Sequence, residues 1–144
     1  MNTIMQEEKY GVHVTATRQE FLNIYSVLND TKNEKNTKYA AIVLKNMAVI
    51  SEMLVPIEEA AKPSQEFIDL SSKAQELIAT ENTEAIKQLE VEHADLLQAR
   101  RETLDNIRKE LSEEVTLELK MINEKILPTN LSATQLETLI KIIN

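Results

Sequence analysis

The sequence predicts a mainly α fold: a helical bundle with a long, coiled-coil-like antiparallel helical hairpin and a small two-stranded antiparallel sheet at its base. Three observations predict it. One glycine and three prolines in 144 residues favour helix over an all-β or α/β plan. Heptad-spaced apolar residues fill the second half of the chain, with Ile86 and Ile107 in one series and Leu97, Leu104 and Leu111 in another. The stretch "SEEVTLELKMI" then switches to a period of two, with Val115, Leu117, Leu119 and Met121 alternating with polar residues. A period of two marks a half-buried strand.

Taken in order, "KYGVHV" places Tyr10, Val12 and Val14 on one parity and reads as a short strand. Thr17 followed by Glu20 forms a capping box, which starts a helix with an apolar stripe of Phe21, Leu22, Ile24, Tyr25 and Leu28. The polar run at 29–38 is a loop. From Tyr39 to Ile57 nearly every residue is apolar, apart from a narrow wet stripe. Lys38, Lys45, Glu52 and Glu59 recur at seven-residue spacing, with Asn46 and Ser51 beside them. So narrow a stripe predicts a central helix buried on most sides. As a membrane span this helix would carry Lys45 and Glu52 through hydrocarbon at roughly 2–3 kcal/mol per charge, so no membrane is expected.

Pro56 and Pro63 predict an interruption of the helix, as kinks alone or as a kink at one with a break near Lys62, because proline lacks the N–H and crowds the carbonyl four residues back. Phe67, Leu70, Ala74 and Leu77 resume the pattern, and "TENT" at 80–83 is the turn. A second arm of about 29 residues, roughly 43 Å, follows. Its series Ile86, His93, Arg100 and Ile107 puts His93 and Arg100 on the hairpin seam. The hairpin brings its ends together, so the simplest partner for Val115–Met121 is Tyr10–Val14. Ser132 with Gln135 makes a second capping box. Leu136, Leu139, Ile140 and Ile143 form the apolar face of the last helix. The chain is then one domain, 1–144, with the hairpin at about 64–111 and the base formed by 9–63 and 112–144.

The chemistry is mostly exclusion. One glycine leaves no phosphate-cradling loop, and no cysteine leaves no disulfide or thiolate site. The net charge of −8 is concentrated in residues 51–122, with eight basic and seventeen acidic side chains. No basic cluster is present to displace counterions from nucleic acid, so no direct nucleic-acid binding is expected. Glu90 and His93 have the Glu-x-x-His spacing of helical di-iron sites, but those need two such motifs and further carboxylates. No metal, cofactor or catalytic residue is expected. The pairs Glu58–Glu59, Glu90–Glu92 and Glu113–Glu114 lie on expected solvated faces, not in a desolvated cleft. The first ten residues show no signal-peptide pattern.

The runs "KYAAIVLKNMAVI", "PIEEAAKPSQEF" and "EVTLELKMINEKILPTNLSATQLETLIKII" resemble a family of short helical proteins of unknown function from bacteriophages and prophages. The resemblance implies a phage origin and a non-catalytic role, in the cytoplasm of the host cell or in the virion. The expected function is protein–protein interaction, as a small phage structural or assembly component or an adaptor, with another phage or host protein as partner. Helical hairpins also self-associate, so a homo-oligomer is among the expected partners. The alternative is an acidic inhibitor of a host defence or nucleic-acid enzyme, because residues 66–97 carry eight acidic and two basic side chains. The residues expected to carry the interaction are Glu76, Glu81, Glu84, Glu90 and Glu92.

Overall fold

A computed structural model describes residues 11–144. Helix accounts for 72% of it, with a small two-stranded antiparallel sheet, so the fold is mainly α as the sequence predicts. Tyr10 and the segment read for a signal peptide lie outside the described residues. The chain divides into two compact units: the described part of Met1–Pro56 with Leu111–Asn144, and Ile57–Glu110.

The first unit is built around strands β1 (Val12–Thr17) and β2 (Glu114–Leu119), paired antiparallel from Val12 opposite Leu119 to Thr17 opposite Glu114. Val14, Ala16 and Leu119 are buried on one face, with Val115 and Leu117 half-buried. On the other face Thr15 and Thr116 share a hydroxyl hydrogen bond of 2.7 Å. Val12 shares the face of Val14, as its parity predicts, but is exposed at the start of the strand.

Thr17 ends β1 and caps helix α1 (Arg18–Thr31). Its hydroxyl accepts from the Glu20 N–H at 3.0 Å, and Glu20 accepts from the Thr17 N–H, the capping box expected there. The second Glu20 oxygen meets Lys141 Nζ at 3.1 Å. That bond, with the Thr17 N–H, holds the Glu20 carboxyl below its ordinary value. The stability this adds is present at neutral pH and is lost as pH falls through the folded-state titration.

Helix α2 (Thr37–Ala61) contains Pro56 and ends before Pro63, while Ser64 caps the next helix, so of the two alternatives the helix breaks, near Lys62. Tyr39 ties α2 to α1: its hydroxyl lies 2.7 Å from that of Thr31, which donates to the Val27 and Leu28 carbonyls. Burial pushes the Tyr39 phenol above its usual pKa, although the bond to Thr31 opposes the shift. The prediction of a helix buried on most sides is not what the fold shows. Tyr39, Val43, Asn46, Met47, Ile50, Leu54 and Ile57 are buried, and this is a single helical face. Leu44 and Val55 face solvent. Asn46, assigned to the wet stripe, is 1% exposed. Its Nδ2 donates to the Lys120 carbonyl at 2.9 Å and its Oδ1 accepts from the Lys120 N–H at 2.8 Å. An amide can therefore sit in the core because both of its ends are satisfied by one backbone residue.

Past β2 and a 3-10 turn at Glu124–Ile126, helix α6 (Ala133–Leu139) packs on α1. The Ser132–Gln135 capping box is present as expected. The expected apolar face needs correction. Leu139 and Ile142 are fully buried, while Leu136 and Ile140 are exposed. The chain tightens to a 3-10 turn at Ile140–Ile142, which changes the phase of the side chains. Ile122 and Ile143 then form a parallel bridge that ties the last residues beside the exit of β2.

Gly11 stands just before β1 at φ +68, and a Cβ there would collide with the Leu119 carbonyl oxygen. Gly11→Ala is expected to destabilise the first unit by about 2 kcal/mol or more, adding left-handed strain to a backbone clash. A thermal melt matching that of the unaltered protein would show that Gly11 is not held against β2.

The second unit contains α3 (Gln65–Ala79), α4 (Thr83–Glu92) and most of α5 (Ala94–Ser112). The turn at 80–82 closes α3 with the Glu81 N–H on the Ile78 carbonyl and the Asn82 N–H on the Leu77 carbonyl. Glu81 takes the left-handed position, φ 56, that glycine usually fills in such a cap. Asn82 then caps α4, accepting from the Ala85 N–H. The second arm is not the single helix expected. It is interrupted at His93 (φ −114, ψ 26), which is exposed and not on the seam. The break leaves His93 in water.

Candidate functional site

Within the second unit the buried apolar side chains are Ile57, Leu70, Leu89 and Ile107. Between α3 and the α4–α5 pair lies an open groove of about 370 Å³, lined by Leu70, Ile86, Leu89 and Leu97 together with Glu90 and Arg101. A second, shallower depression runs along α4 beside Glu84, Lys87 and Val91. Ile68, Ile78 and Val91 are exposed, Val91 most of all at 77%. Three large apolar side chains in water on so small a unit are more informative than its charged residues, since charges belong on a surface in any case.

Arg100 shows how the seam accommodates a cation. Its Nη1 donates to the Ala61 carbonyl at the C-terminus of α2, 2.9 Å away, and its guanidinium lies 5.4 Å from the centre of the Phe67 ring. The helix terminus and the ring face both favour positive charge there. No local pattern links Ala61, Phe67 and Arg100, so this clamp is not legible in the sequence.

The five acidic residues expected to carry the interaction are all exposed. Glu76 lies in the last turns of α3, and its backbone carbonyl accepts from the Thr80 N–H. Glu81 forms the turn, and Glu84 opens α4. Glu90 lines the groove, whereas Glu84 lines the other depression. Glu92 ends α4 and accepts from Gln88 Nε2 at 3.2 Å. Glu84 and Glu90 therefore border different depressions.

Glu90 and His93 do not share a continuous helix, because the break falls at His93. Among the described residues no group of three or more His, Asp or Glu could hold a metal ion. Of the paired carboxylates, Glu59 meets Lys62 at 3.0 Å in an exposed ion pair, and the exposed Glu113 meets the half-buried Arg18 at 3.2 Å. His13 is exposed on β1. What the fold defines here is a class: a mainly α chain with a small antiparallel sheet, an apolar groove and exposed apolar side chains. No protein-family model, curated protein or solved structure matches this chain.

Proposed function

We propose that the protein is a non-enzymatic interaction module whose second unit is gripped by another protein. The carrying observation is the exposure of Ile68, Ile78 and Val91 in a unit that has few buried side chains and also holds an open groove lined by Leu70, Ile86, Leu89 and Leu97. Burying such side chains contributes about 1.5–3 kcal/mol each, enough to anchor a partner helix or loop. The resemblance to short helical phage proteins makes the partner another phage or host protein, and the role that of a small structural or assembly component or adaptor.

Two variants test this. Replacing residues 68–95 with a short Gly/Ser turn is expected to leave a soluble first unit that melts cooperatively, and to abolish capture of the partner from infected cells. The double change Ile78→Asp, Val91→Asp alters only exposed positions, so stability should move by less than about 0.5 kcal/mol per site while partner capture falls. Full capture by both variants would place the binding surface elsewhere. Salt-sensitive recovery of a basic host enzyme would replace the assembly role with the inhibitor role.

A further inference from the structure

We propose that the solvent-facing side of α2 is the seat of an antiparallel homodimer. This goes beyond the interaction just described, because it involves a different stretch of sequence and a different partner: a second copy of this chain.

The first observation is unpartnered apolar surface. By length and composition α2 could cross a membrane, yet only 33% of its most apolar 18-residue stretch is buried. Leu44 and Val55 are 59% and 46% exposed, and Ala41 and Ala48 are exposed with them. These four recur at intervals of three, four and seven residues, the spacing of a coiled-coil seam. They lie opposite the buried face, so the helix has a core side and a second apolar strip facing away from it.

The second observation decides what covers the strip. Lys45 and Glu52 flank it seven residues apart, and both are exposed. The order of signs is what matters: a cation, then an anion. Laid against a parallel copy, each residue meets its own kind. Laid against an antiparallel copy centred near Ala48, Lys45 meets Glu52 of the partner, and the two-fold axis repeats the pair. Flanking charges of this kind select partner and orientation in helical pairs, while the apolar strip supplies the association. The small side chain of Ala48 at the axis permits close approach of the two helices. A lipid surface would cover the apolar strip but gives no reason for the order of signs along it.

The test uses the full chain in sedimentation equilibrium. The unaltered protein is expected to dimerise. Lys45→Glu and Glu52→Lys, each placing like charges opposite one another twice, should each weaken dimerisation by about tenfold or more. Mixing these two variants in equal amounts should restore a dimer, because every flanking contact is then complementary. Leu44→Asp should abolish the dimer, with a circular dichroism melt measured at low concentration showing that the monomer still folds. A monomeric unaltered protein, a mixture that stays monomeric, or binding to neutral phosphatidylcholine vesicles in place of self-association would overturn the proposal. Because the variants leave Ile78 and Val91 intact, partner capture by monomeric Lys45→Glu distinguishes failure of this interface from failure of the second unit's surface.

Discussion

Leu119→Asp is expected to bring the first unit to the edge of unfolding. Leu119 is 1% exposed and faces Val12 at the end of the sheet. The change forfeits about 2–3 kcal/mol of apolar burial and forces a carboxylate out of water with no partner, which costs several kcal/mol more. A domain of this size has about 5–15 kcal/mol in total, so most of it would be lost. Leu117 is half-buried and Glu118 exposed on the other face. Leu117→Asp should therefore cost less, about 1–3 kcal/mol, and Glu118→Lys under about 0.5 kcal/mol. Urea melts should give that order. Three equal midpoints would mean that β2 does not pair with β1 in this register.

The second large effect is expected at Asn46. Asn46→Leu matches the size of the amide but removes both bonds to Lys120. Losing two hydrogen bonds to buried backbone should cost about 2–4 kcal/mol, less whatever the leucine recovers. Asn46→Asp is the more diagnostic change. One carboxylate oxygen can still accept from the Lys120 N–H, but the other meets the Lys120 carbonyl, and both are acceptors. Only the protonated acid can donate there, so burial and this contact raise the pKa of the introduced group in the folded state. The sign follows. A raised folded-state pKa adds stability that is present below the unfolded value, about 3.9, and is lost as pH rises through the folded value. Asn46→Asp should thus lie nearer the unaltered protein in acid than at pH 7, once the acid loss common to both is subtracted. A constant difference across pH would mean that the side chain is hydrated and not engaged with Lys120.

Asn46 also shows where sequence reading stops. Beside Lys45 and near Ser51 and Glu52 it looks like one more member of a polar stripe. What distinguishes it is a backbone residue 74 positions away that presents a donor and an acceptor at the right spacing. The acidic residues of the second unit give the same lesson for the candidate site. Their exposure was legible, since carboxylates stay in water. Their grouping was not, because which side of α4 holds Glu84 and which holds Glu90 depends on where α3 packs.

The sequence by itself determined the features whose causes are local. The Thr17–Glu20 and Ser132–Gln135 boxes act over three residues. The interruption of the helix near Lys62 follows from the geometry of one proline, and the alternation in β2 follows from the pleat of one strand. With a single glycine in the chain, the mainly α class was legible from composition. Tertiary structure alone decided the rest. An apolar helix records that it has apolar residues, not which of them meets the core, so the exposure of Leu44 and Val55 was invisible until the neighbours of α2 were in place. The same holds for the 3-10 turn that buries Ile142 and leaves Ile140 in water. In each case the free energy lies in contacts between residues distant in the chain, and a local pattern cannot encode it.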